Sequence, residues 1–211
     1  MPRVIETTVY KYEELSDKAK AKARDWYREL ASGDNDFADH LTGYGGDFEN
    51  VARFMGFTID NARNRKGALS IYWTGFWSQG DGLCFTGTWT AREVDVPGLK
   101  KWAPEDKALH ELGYKFARLA DSVGAIGGHV TQGDRHYCHE FTVRPELDCD
   151  LEDGSETPKE DQDVFRDIAR KLMRWMYARL EEAYEYSVSD EAVTEAIVAN
   201  EYEFLESGKR A

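Results

Sequence analysis

The side chains best equipped for chemistry stand together at His136-Tyr137-Cys138-His139-Glu140. Read as a strand, this run puts His136, Cys138 and Glu140 on one face, and Tyr137, His139, Phe141 and Val143 on the other. Imidazole, thiolate and carboxylate all ligate zinc, and three protein ligands with an open fourth position are the pattern of a catalytic zinc site. The spacing works against that chemistry. Alternate strand positions i, i+2 and i+4 spread over about 13 Å, whereas zinc ligands all lie about 2 Å from one ion. Only two neighbouring positions can share an ion, completed from elsewhere by His129 or Asp134. His136, Cys138 and His139 therefore remain the candidate metal ligands of a metal-dependent hydrolase, an alternative reading; the main expectation is no metal and no cofactor. His139, among apolar neighbours, reads as a core histidine. No GxSxG, HExxH or Walker pattern occurs, and no spacing singles out an acid/base pair among the carboxylates. A non-enzymatic protein is expected.

A second candidate is the glycine-rich stretch Gly75-Phe76-Trp77-Ser78-Gln79-Gly80-Asp81-Gly82-Leu83-Cys84-Phe85-Thr86-Gly87. Period-2 runs flank it, with Leu69, Ile71, Trp73 and Trp77 before the turn and Leu83, Phe85 and Trp89 after it, the pattern of a β-hairpin. Such a hairpin has one aromatic face that helices or a ligand must cover. Gly80 and Gly82 permit positive φ around Asp81, and Gly75 and Gly87 leave room for close approach. The plain reading is a core-forming hairpin. The sharper one is a binding surface at its tip, made of Tyr72, Phe76, Trp77, Ser78, Gln79 and Asp81. For a nucleotide signal these aromatics and Trp73 would be stacking platforms, with Arg63, Arg65, Lys66, Arg92 and Arg135 as the cations a phosphate needs. Gly43-Tyr44-Gly45-Gly46-Asp47 is not a phosphate loop: it lacks Gly-Lys-Ser/Thr and sets an acid where the phosphate would sit.

These residues sit in a chain of 211, with 40 acidic and 27 basic residues and a formal charge of −13. That field repels phosphate backbones, so direct nucleic-acid binding is disfavoured; it steers basic partners or simply confers solubility. No apolar run approaches the ~18 residues a membrane helix needs, and the start Met1-Pro2-Arg3-Val4 has no apolar signal segment. A cytoplasmic protein is expected, its three cysteines Cys84, Cys138 and Cys149 reduced. Acid is densest from Pro145 to Asp163. An exposed loop is expected over about 145–158, in which Asp148, Asp150, Glu152 and Asp153 are candidate partner-binding residues.

The elements that position these groups read as one α+β domain over 1–211: an antiparallel sheet of about four to six strands packed by amphipathic helices. A strand is expected over 4–11. Ser16 caps a helix with Leu15, Ala19, Ala23, Trp26 and Leu30 inward, and Asp47 caps another carrying Phe48, Val51, Phe54 and Met55. A short strand over Phe57 to Asp60 leads to the hairpin, whose second strand continues through Val94 and Val96 until Pro97-Gly98 breaks it. The helix after Pro104 carries Leu109, Leu112, Phe116, Leu119 and Val123 and is expected to cover the aromatic face. A second hairpin runs from Ala125 to Val143. Thr157-Pro158-Lys159-Glu160 matches a capping box and opens a helix of about 28 residues and about 40 Å. A short helix and tail occupy 189–211, with Tyr202 and Phe204 either inserted into a partner or tucked back onto the body.

The block GFWSQGDGLCFTG, the opening YKYEELSDKAKAKARDWYRE and the ending MRWMYARLEEAYEYSVSDEAVTEAIVANEYEFLESGKRA resemble a family of small acidic proteins of tailed phages and prophages, often labelled antitoxin of a toxin-antitoxin stability system. The resemblance covers about two thirds of the chain. It implies a non-enzymatic neutralising protein and assigns no functional residue. The expected partner is a bacterial host protein, a toxin or an anti-phage defence component, met through the acidic surface. The alternatives are a nucleotide-signal binder using the hairpin and the metal-dependent hydrolase.

Overall fold

The structure, a computed structural model, describes residues 3, 6–31, 33–63, 66–124, 127–133, 137–148 and 157–211. The expectations for Val4, Ile5, Arg65, Asp134, Arg135, His136, Cys149, Asp150, Glu152 and Asp153 lie outside the described residues. In chain order the elements are β1 (Tyr10–Lys11), α1 (Asp17–Ala31), α2 (Asp39–Thr42), α3 (Asp47–Phe54), β2 (Met55–Ile59), β3 (Ile71–Thr74), β4 (Gly82–Phe85), β5 (Gly87–Val94), α4 (Val96–Trp102), α5 (Lys107–Val123), β6 (Gly127–Gln132), β7 (Val143–Leu147), α6 (Lys159–Ser187), α7 (Asp190–Ala199) and β8 (Glu203–Phe204). The class is α+β with antiparallel strand pairing throughout. The backbone groups into two compact units, residues 1–37 with 182–211, and residues 38–181.

In the smaller unit, Ser16 Oγ accepts from Ala19 N (3.4 Å) and Ser189 Oγ from Ala192 N (3.2 Å), which starts α1 and α7. The Arg28 guanidinium, helped by Arg24, holds the Asp190 carboxyl below its usual range. Tyr12, Leu15, Ala19, Ala23, Val193, Ile197 and Phe204 form the core. Phe204 is fully buried and the Tyr202 ring stands edge-on to Trp26 at 5.2 Å, so the tail aromatics tuck back. Two expectations change. Leu30 is exposed, and among the described residues the first strand shrinks to Tyr10–Lys11, paired with β8.

The larger unit holds a four-stranded sheet in the order β2-β5-β6-β7, and β3 pairs with β4 in a separate ribbon. Phe57, Trp89, Val130, Val143 and Leu147 make the buried face, while Thr88, Arg144 and Glu146 face outward. Helices cover that face as expected. The Phe116 ring of α5 lies 5.5 Å from Phe57, the Phe165 ring of α6 lies 5.1 Å from Trp89, and the Trp89 indole donates to the Met55 carbonyl at 2.8 Å.

Five local expectations are corrected. The hairpin does not run unbroken to residue 90, because at Gly87 the chain leaves the ribbon and enters the main sheet against β2. A Cβ on Gly87 would lie 2.3 Å from the Thr58 carbonyl oxygen, so only glycine fits there. Trp77 consequently does not share a sheet face with Trp89. Residues 137–142 form a turn rather than a strand, with Thr142 N donating to the His139 carbonyl at 2.9 Å. Pro145 to Leu147 belong to β7 rather than to an exposed loop; β7 is an edge strand, where the missing proline N–H is tolerated. Val96 starts a helix instead of ending a strand, since Asp95 accepts from Gly98 N at 2.9 Å and Pro97 fits a first helical turn. The Thr157 hydroxyl, expected to cap α6, donates to the Asp148 carbonyl at 2.7 Å.

Candidate functional site

Residues 75–81 form the loop of the β3–β4 ribbon, which closes with Thr74 opposite Gly82. Local chemistry fixes its shape. Asp81 Oδ2 accepts from Trp77 N (3.0 Å) and Ser78 N (2.6 Å), and Gly75 makes way for that carboxylate, which would lie 2.8 Å from a Cβ. Phe76 stacks on Trp73 at 5.9 Å and on Tyr177 of α6 at 5.7 Å, and the Tyr177 hydroxyl donates to the Gly75 carbonyl at 2.6 Å. Burial pushes the Tyr177 phenol up to about 12, with the charges of Asp81 and Glu181 adding to the effect. Trp77, at the apex, is 74% exposed.

The 137–142 turn lies against this ribbon because two glycines make space. A Cβ on Gly80 would meet the Tyr137 ring at 3.3 Å, and one on Gly82 the His139 ring at 2.7 Å. Buried Glu140 anchors the turn to α6, accepting from Arg174 Nε at 2.9 Å, with His139 Nδ1 at 3.1 Å from its other oxygen. Phe141 stacks on His139 at 5.4 Å and lies under the Arg170 guanidinium at 4.7 Å. Tyr137 and Phe141 are both more than half exposed, so Trp77, Tyr137, Phe141 and the two arginines make an aromatic and cationic patch on a fixed backbone.

The thiols beneath it are poor nucleophiles. Burial pushes Cys84 up to about 11 and also raises Cys138, so neither is a thiolate at neutral pH. Among the described residues, no group of three or more His, Cys, Asp or Glu side chains is placed to hold a metal ion. The expected common strand face for Cys138 and Glu140 is absent.

Beside the patch opens a cleft of about 1110 Å³, bordered by Asp60, Arg63, Ser70 and Tyr72, and by Thr131, Gln132 and Cys138. Three main-chain bonds knit its base: Asp60 N to Thr86 O (2.9 Å), Ser70 N to Asp60 O (2.7 Å) and Thr86 N to Ser70 O (3.1 Å). The Tyr72 hydroxyl donates to buried Ser70 Oγ at 3.3 Å.

Of the expected site residues, Phe76, Trp77, Ser78, Gln79 and Asp81 share the loop, and Tyr72 lies in the cleft. Asp148 belongs to neither. It stands at the far end of the β6–β7 pair, beside His129 (3.7 Å), which also approaches Glu146 (3.6 Å). Of the basic residues considered for phosphate, Arg63 alone borders the cleft among those described. Sequence reading missed Tyr177, Tyr137, Phe141, Arg170 and Arg174 as parts of the site. Tyr177 follows Met176 of the apolar stripe on α6 and so carried a signal; the arginines gave none.

A family model described as Domain of unknown function (DUF8835) matches residues 43–190, which include the ribbon, the 137–142 turn and the cleft. No curated protein and no solved structure gives a match. Because the matched residues make up well over half of the chain, the protein belongs to the DUF8835 family.

Proposed function

We propose that this is a non-enzymatic accessory protein that acts by binding, and that it neutralises a bacterial toxin or anti-phage defence protein through the patch around Trp77. One observation carries the reading: a tryptophan 74% exposed on a loop whose own backbone is pinned by Asp81 and Tyr177. Binding energy concentrates in Trp, Tyr and Arg anchors, and an anchor already ordered in the free protein loses little entropy on association. Tyr137, Phe141, Arg170 and Arg174 supply the same residue types next to it. The net charge of −13 supports a basic partner, drawn in at long range. The target class and the phage setting rest on the family resemblance described above.

The test is capture from a bacterial host lysate at low salt with tagged protein and its Trp77→Ala variant, read by proteomics and native mass spectrometry. A stoichiometric host protein held by the natural chain and reduced about tenfold or more by Trp77→Ala is the expected result. Equal capture by both chains removes the patch. A small added mass with no protein partner replaces this reading with sequestration of a small ligand.

A further inference from the structure

Arg170 of α6 is largely covered and its Nε is buried with no acceptor; among the described residues its guanidinium makes no hydrogen bond or ion pair. Covered arginines are ordinarily paired, because a buried donor left without an acceptor forfeits its bonds to water. The acids nearest to it along the helix are committed elsewhere, Asp163 to Arg166 at 3.0 Å and Asp167 to Lys171. One turn to either side stand Arg166 and Arg174, and like charges at that spacing repel. This local excess of cation runs against the net charge of −13.

Phe141 gathers two of these arginines. The Arg170 guanidinium lies over its ring at 4.7 Å and that of Arg174 at 5.9 Å. A guanidinium laid on an aromatic face keeps its N–H groups at its edge, where they can fork onto a carboxylate. Arg174 spends its Nε on Glu140 at 2.9 Å, and its two terminal nitrogens make no hydrogen bond among the described residues. Arg170 and Arg174 thus bring unspent donors to one aromatic ring that is itself more than half exposed.

Resting on the binding role above, we infer that Arg170 and Arg174 take a carboxylate side chain, Asp or Glu, of the protein that docks on Trp77. Arg170, Arg174 and Tyr177 share one face of α6, about 10 Å long from first to last. Tyr177 holds the Trp77 loop through the Gly75 carbonyl, so one partner spans the anchor and the arginines. A carboxylate suits the pair better than a phosphate. It brings one negative charge on an otherwise basic partner, whereas a free phosphate carries its whole charge into the field of −13. Overall acidity draws the partner in, and the two arginines select where one of its acids must stand.

The probe is the acetylated and amidated tripeptide Gly-Glu-Gly, titrated into the full chain at constant ionic strength and followed by NMR of the arginine Nε–H groups. Saturable millimolar shifts at Arg170 and Arg174 are expected, with none at Arg28, which Asp25 and Asp190 already occupy. Arg170→Gln should abolish the binding, and Arg170→Lys, which keeps the charge but loses the planar fork, should weaken it severalfold. Inorganic phosphate and the Gly-Gln-Gly peptide are the comparisons. No saturation, equal shifts with Gly-Gln-Gly, or binding of phosphate alone overturns the inference. In the capture experiment Arg170→Gln should lower retention of the host protein about tenfold, the lower end for a hydrogen bond to a charged group. Capture equal to that of the natural chain overturns the inference as well. The titration uses no partner, and Trp77→Ala should leave it unchanged. Its failure therefore counts against the arginine pair alone, and failure of Trp77→Ala to affect capture counts against the Trp77 patch alone.

Discussion

The order of the Trp77 loop is owed to two side chains other than that of Trp77 itself. Asp81 gathers two backbone N–H groups, and Tyr177 reaches from α6 to the Gly75 carbonyl. Tyr177→Phe removes that second tie and should cost about 1 kcal/mol at neutral pH. Its ionisation gives the tie a pH signature. The phenol's ordinary value is 10.0 and burial pushes it up to about 12, so the folded protein retains the proton at a pH where the unfolded chain has released it. The contribution is fully present below pH 10 and is lost as pH rises through about 12. Urea unfolding at a series of pH values should therefore show the natural protein losing more stability across that window than Tyr177→Phe. Parallel pH profiles would mean that the phenol ionises as freely in the fold as in the unfolded chain.

Among the elements, β5 decides the architecture, because it ends the ribbon and occupies the centre of the main sheet. Its entry depends on the close approach of Gly87 to the Thr58 carbonyl. Gly87→Ala should cost about 3 kcal/mol, the upper range for forcing a methyl into filled space, and speed amide exchange in β2 and β5. Gly33→Ala, where a Cβ meets nothing within 4 Å, is the matched control and should be near neutral. An equal effect of the two substitutions would remove Gly87 as the device that admits β5. The helices were legible in sequence: the stripes of α5 and α6 bury Leu109, Leu112, Phe116, Phe165, Ile168 and Leu172, since a period of 3.6 leaves little alternative. The 137–142 turn was not legible. His139, Glu140 and Phe141 alternate as a strand would, and what holds Glu140 inside is Arg174, 34 residues later. Asp81 could be assigned to a turn from Gly80 and Gly82, whereas the period-2 pattern drew Trp77 into the strand before it, which ends at Thr74. The cleft could not, because it forms only where segments around residues 60, 70, 86 and 132 converge.

Across the molecule the excess acid is not gathered at the patch. Asp190, Glu201 and Glu203 belong to the smaller unit, Asp60, Glu146 and Asp148 to the larger, and the patch itself carries Arg170 and Arg174. In the proposed complex, distributed charge of this kind acts at long range on encounter, while the short-range aromatic contact controls escape. The two contributions separate kinetically. Raising ionic strength from about 0.05 M to about 0.5 M shortens the screening length severalfold, so the association rate of the captured partner should fall by about an order of magnitude with little change in dissociation. Trp77→Ala should do the reverse, speeding dissociation and leaving association nearly as it was. Neutralising the far end of the β6–β7 pair with Glu146→Gln and Asp148→Asn should lower the association rate only modestly, because those two charges are a small part of the −13. Surface-plasmon measurements on the three proteins at both salt concentrations distinguish the cases. If the double neutralisation instead speeds dissociation as much as Trp77→Ala does, the partner sits on the outer face of the main sheet beside His129, and the contact surface must be redrawn around the acidic stretch.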